Sequence, residues 1–154
     1  RNRLAEINLD EASLAPASPN AEHERRIALF DLKESNSFAV LNQDRGPYVL
    51  LLGMSEGRLV LDVSDESGAR IILHQAPLGS LRKIVKDYAF ICESYNAAIR
   101  DAPPARIEAL DMGRRGLHNE AADVLQELLA SQFTIDNETA RRLFTLVCAL
   151  HVRG

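Results

Sequence analysis

At Ser80 the hydrophobic pattern of the chain changes period, and that change constrains the fold more than any other feature. Before it, apolar residues alternate. After it, Leu81, Ile84, Val85, Tyr88, Ile91, Cys92, Tyr95 and Ile99 recur at the 3.6-residue spacing of one helix face. A chain of 154 residues can bury about 70% of its unfolded surface in one core and is too short for two full-sized ones. The reading is a single domain over residues 1–154, with 1–79 mostly strands plus one helix and 80–154 helical.

In the first part, Leu4 to Leu9 alternates as a short strand. The loop Ala15-Pro16-Ala17-Ser18-Pro19 leads into a helix with Ser18 as N-cap and Pro19 at its first position, running to about Glu34. Phe38 to Leu41 is extended, and then come three β-rich runs, Tyr48–Met54, Arg58–Val63 and Ala69–Gln75. Gly57 and Gly68 supply the positive φ that their tight connections require. These runs predict an antiparallel β-meander with Leu59, Leu61 and Val63 on one face. In the second part, Asp101-Ala102-Pro103-Pro104 ends one helix and starts the next. A short extended piece, Phe133 to Ile135, precedes Asp136 as N-cap of a last, largely buried helix. Strands followed by helices indicate an α+β fold, its helices packed on one face of the sheet and its C-terminal half all helical.

The run from Asp111 to Glu120 departs from this orderly pattern. Read as helix, Ile107, Leu110, Leu117, Ala121, Val124, Leu125 and Leu128 form an apolar stripe, and Asp111, Arg114 and His118 fall inside its sector. Polar groups on an apolar stripe must find partners or form a site. His151 joins the apolar arc of the last helix, and Tyr88 and Tyr95 bring hydroxyls that need partners if buried. The functional reading is a semi-buried, ligand-binding pocket built from Asp111, Arg114, Arg115, His118, Asn119, Glu120, His151, Tyr88 and Tyr95. The bland alternative is a structural Asp–Arg–His network of neighbours three and four apart. If the helix is unbroken at Gly113 and Gly116, Arg114 should be mostly buried and paired with Asp111 or another acid, and Arg115, about 100° round the helix, more exposed. Arg114→Ala should then cost about 3–5 kcal/mol, and Arg115→Ala no more than about 0.5 kcal/mol.

Other chemistries find less support. His118, His151 and Asp111 could supply three metal ligands by composition, but no two share a strong ligand spacing and Arg114 would repel a cation, so no metal is expected. Arginine forks suit an anion better. Cys92 and Cys148 sit in apolar patterns as small hydrophobes, and two isolated cysteines without zinc or redox spacing suit a reducing, cytoplasmic compartment. Arg141-Arg142 and His23-Glu24-Arg25-Arg26 read as solvated faces. Phe90 lies opposite its helix's stripe, so that Phe90, Arg141 and Arg142 are candidates for contact with a partner. Residues 1–79 hold 8 Lys/Arg against 12 Asp/Glu and residues 80–154 hold 10 against 10, so neither part carries the basic footprint of a general nucleic-acid binder. No run approaches the length of a membrane span, and the N-terminus lacks the apolar core of a signal peptide. The chain opens on Arg1 rather than Met, so a few leading residues are expected to precede it. No phosphate-binding glycine loop or serine-nucleophile elbow is present, and no cofactor is expected.

Several longer motifs carry a resemblance. At Val85-Lys86-Asp87-Tyr88, Ile91-Cys92-Glu93-Ser94-Tyr95, Asp111-Met112-Gly113-Arg114-Arg115-Gly116, His118-Asn119-Glu120 and Thr139 through Cys148, the sequence resembles the short proteobacterial proteins of uncharacterised protein family two-six-two. The likeness extends from Glu22-His23-Glu24-Arg25 to the closing His151-Val152-Arg153-Gly154. It implies a bacterial cytosolic protein and carries over no activity, cofactor or catalytic residue. Two readings of function stand from the residues. One is a binding or regulatory protein presenting the Asp111–Glu120 region to a protein partner or an anionic small molecule, with a second copy of the chain as another candidate partner. The other is a small enzyme using His118 or His151 as acid/base and Arg114 as an anion clamp.

Overall fold

The computed structural model describes residues 1–151, the last of them by its backbone alone. Its elements are β1 (Leu4–Leu9), a 3₁₀ turn (Glu11–Ser13), α1 (Pro19–Glu34), β2 (Phe38–Val40), β3 (Tyr48–Ser55), β4 (Arg58–Asp65) and β5 (Arg70–Pro77). The helical part holds α2 (Gly79–Ala98), α3 (Pro104–Leu129), β6 (Phe133–Ile135) and α4 (Asn137–His151). The class is α+β.

Strands β3, β4 and β5 form the expected antiparallel meander. The β3–β4 turn places Glu56 at φ 51° and Gly57 at φ 77°, the left-handed pair that lets a two-residue hairpin follow the twist of its strands. Alternation puts Leu50, Leu52, Leu59, Leu61, Val63 and Ala76 on the buried face, while Leu51 and Leu73 point outward. The sheet is mixed rather than a pure meander, because β1 joins it parallel to β3, in the order β1-β3-β4-β5. Alternation identifies the face a strand buries and not the neighbour it chooses, so this pairing left no trace in the sequence pattern. The extended piece Phe133–Ile135 is a true strand, paired antiparallel with β2 in a separate two-stranded sheet. The C-terminal half is therefore not all helical.

Caps act where the sequence placed them. Ser18 Oγ accepts from the Ala21 amide at 3.1 Å, and Asp136 Oδ1 accepts from the Thr139 amide at 2.9 Å. Helix α3 runs unbroken through Gly113 and Gly116, packing against both α2 and α4, while α1 lies against α4 and β1. At Gly113 a Cβ would come within 2.6 Å of Ile91 Cδ1, so the missing side chain allows α2 and α3 to approach closely; at Gly116 no atom lies within 4 Å. The core unites the buried sheet face with Ala121, Ala122, Leu125 and Leu129 of α3 and Leu143, Phe144 and Val147 of α4.

Candidate functional site

The three polar residues of the α3 stripe divide into two layers. His118 lies in the inner layer, where its ring meets those of Tyr88 and Phe144 edge-on at 5.4 and 5.3 Å, and these two meet each other at 5.5 Å. Its Nε2 is 3.0 Å from Thr145 Oγ1, whose hydroxyl also donates to the Arg141 carbonyl at 3.1 Å. With that hydrogen committed, the hydroxyl serves His118 as an acceptor, which places the ring proton on Nε2. Nδ1 is buried and has no partner among the described residues. Burial, then the charges of Arg141 and Arg114, lowers the His118 pKa from its ordinary value of 6.5. The ring is held neutral.

The same layer raises two other groups. Burial and then the adjacent Cys92 thiol push the Tyr88 phenol far above the tyrosine range, and burial pushes the Cys148 thiol up to about 12. Cys92 and Cys148 are free and half-buried. The raised Cys148 thiol does not suit a nucleophile, which needs a lowered pKa.

In the outer layer Asp111 receives two guanidinium groups, Arg114 three residues on and Arg115 four residues on, the latter at 3.0 Å. The hydrogen bond from Arg114 holds the Asp111 carboxyl below its ordinary range. The Arg114 guanidinium sits 4.6 Å above the Tyr95 ring, and its Nε is buried without a partner among the described residues. Arg114 pairs with Asp111 as expected, yet its side chain is 34% exposed, half-buried rather than mostly buried. Its aliphatic stem crosses the stripe while its head reaches the rim beside Tyr95. Arg115, at 72%, is the more exposed of the two.

The rest of the expected set is more scattered. Asn119 accepts a hydrogen bond from Arg141 Nη1, which ties the outer face of α3 to α4. Arg141 and Arg142 are half-buried rather than fully solvated; Arg142 Nη1 reaches the Ser35 carbonyl at 3.5 Å, and both approach Glu138, at 3.9 and 4.0 Å. Glu120 is exposed and its charge acts on Lys83 of α2. Phe90 is 72% exposed, on the outer side of α2. The His151 side chain lies outside the described residues, as does the Val152-Arg153-Gly154 end. Among the described residues no three His, Cys, Asp or Glu side chains gather as metal ligands would.

Arg25 departs from the solvated face expected of His23-Glu24-Arg25-Arg26: it is 4% exposed. Its Nε donates to the Ala149 carbonyl at 3.3 Å and its Nη2 to the Ala15 carbonyl at 3.2 Å, which pins α1 to the last turn of α4 and to the loop before α1. The signal was present in the wheel: Ala21, Arg25, Ala28 and Leu32 are the four buried positions of α1, spaced four, three and four apart.

This is a small α+β protein whose most distinctive feature is a neutral, ring-packed histidine beneath a rim of arginines. The chain belongs to Uncharacterised protein family (UPF0262), whose model matches residues 1–153. It is 53% identical to the UPF0262 protein of Azorhizobium caulinodans over 99% of this chain and 96% of that relative. Similar relatives occur in Mesorhizobium japonicum, at 53% over 100% and 96% of the two chains, and in Brucella canis, at 52% over 99% and 95%. No solved structure matches the chain. The family's function is unknown, and no helix among the described residues is long and apolar enough to cross a membrane.

Proposed function

We propose that this chain is a small cytoplasmic binding or regulatory protein, acting as one domain, whose α3–α4 face receives an acidic segment of a protein partner. The observation that carries the reading is the Arg114–Arg115 pair gathered by one carboxylate, Asp111, and braced on Tyr95. Two cations share a single anion, so this end of the rim keeps positive charge, and Arg141, which also approaches Glu138 at 3.9 Å, ties it across Asn119 to α4. The rim is spread over two helices rather than enclosed, which suits an extended acidic chain better than a small molecule. The free cysteines accord with a reducing compartment. A general acid/base role for His118 is disfavoured, because Nε2 faces Thr145 and Nδ1 is buried.

Amide NMR of the labelled protein titrated with decaglutamate tests this. Shifts confined to residues 111–119 and 138–145, weakened by added salt and by Arg115→Ala, are the expected result. Equal shifts with decalysine, or none with decaglutamate, would remove the proposal.

A further inference from the structure

A second place on the molecule has the form of a ligand site, and it owes nothing to the rim on α3. Between the end of β1, the 3₁₀ turn and the first turns of α1 lies a cleft of about 420 Å³, within the size range of small-molecule pockets. Its walls include Leu9, Leu14, Pro16 and Leu29, and the buried Arg25 reaches its lining. Arg25 has no acidic partner among the described residues; it is held only by the carbonyls of Ala149 and Ala15. Two carbonyls engage two of the five N–H donors of a guanidinium and, among the described residues, leave its charge without a counterion. A buried cation in that condition is costly unless an anion completes it.

Charge and shape narrow the anion. Glu11 and Glu22 line the same cleft and offset the charges of Arg25 and Arg26 there, which opposes a dianion such as phosphate, while the buried Arg25 guanidinium matches one carboxylate. The apolar walls call for a hydrocarbon part. We propose that the cleft binds a small organic monocarboxylate, its two oxygens on the free donors of Arg25 and its apolar tail between Leu9, Leu14 and Leu29. The carbonyl bonds then serve a second purpose, fixing the fork before the ligand arrives and lowering the entropy cost of capture.

Hexanoate is the probe, with hexanol and inorganic phosphate as controls, followed by amide NMR of the intact chain. Saturable shifts at residues 14–17 and 22–29 with hexanoate and with neither control are expected. Arg25→Gln should abolish them. Because that variant can also fail to fold, Ala17→Phe, which fills the cleft from a half-buried loop position and keeps Arg25, should weaken hexanoate by at least about tenfold, a loss of roughly 1.4 kcal/mol. Hexanol shifting the same amides equally, phosphate saturating the site where hexanoate does not, or Ala17→Phe binding as the parent does would each overturn the assignment.

Discussion

Arg25 and Arg114 occupy corresponding places on two helices and meet different fates. Each lies on the apolar stripe of its helix, yet Arg25 is enclosed at the junction of α1 and α4 and Arg114 emerges beside Tyr95. Their partners account for the difference. Arg114 has a carboxylate one turn back, at Asp111, which lies at the rim and draws the guanidinium outward. Arg25 finds backbone carbonyls deep in the junction, one of them in the last turn of α4, where the helix dipole favours a cation. The stripe tells where a side chain starts, and its nearest counter-group decides where it ends.

Chemical unfolding can break this comparison. Arg25→Ala should have the largest effect, about 2–4 kcal/mol, because it strands the Ala15 and Ala149 carbonyls as well as opening a void. Arg114→Ala should cost only about 1 kcal/mol, the sum of a partly exposed ion pair and a cation–π contact, and not the larger loss a buried head would cause. Were Arg114→Ala the more damaging of the two, the assignment of inner and outer arginine would be reversed. Gly116→Ala, with open space around the new methyl, should stabilise by about 0.5–1 kcal/mol, whereas Gly113→Ala should gain less because Ile91 must turn aside. Arg115→Ala should stay within about 0.5 kcal/mol.

The smallest expected contribution is a slope rather than an offset. Because burial lowers the His118 pKa, the native state prefers the neutral ring. The stability this supplies is complete above pH 6.5 and is lost as pH falls from there through the lowered native value. Urea midpoints from about pH 7.5 to about pH 5 should therefore decline, and His118→Phe should flatten that part of the curve while keeping the ring stack. An imidazole NMR titration with its midpoint above 6.5 would contradict the neutral assignment.

Much of this was legible because it is local. The alternation of Leu59, Leu61 and Val63, the capping by Ser18 and Asp136, and the Asp111–Arg114 pair all depend on residues a few positions apart. What was not legible depends on distant segments. The parallel seat of β1 beside β3, the pairing of β2 with β6, and the contact of His118 with Thr145 bring together residues whose sequence offers no mutual signal. Arg25 stands apart from these. The wheel that marks Arg114 marks it too, but in the run His23-Glu24-Arg25-Arg26 the density of charge masks the one position that falls on the buried stripe.

The β2–β6 pair has a consequence for the order of events during synthesis. Phe38 faces Ile135 across the ladder and its ring meets that of Phe133 at 5.1 Å, contacts that form only once residues 133–135 have been made. Until then Phe38 and Val40 have no strand to join, and the loop to be closed between the two strands is long, which makes their union a late, entropically costly step. A nascent chain halted before Phe133 would carry that short apolar strand with its hydrogen-bonding edge open, a surface on which neighbouring chains could pair. Strand β6, in pairing with β2, is thus also what ends the chain's exposure to its own kind.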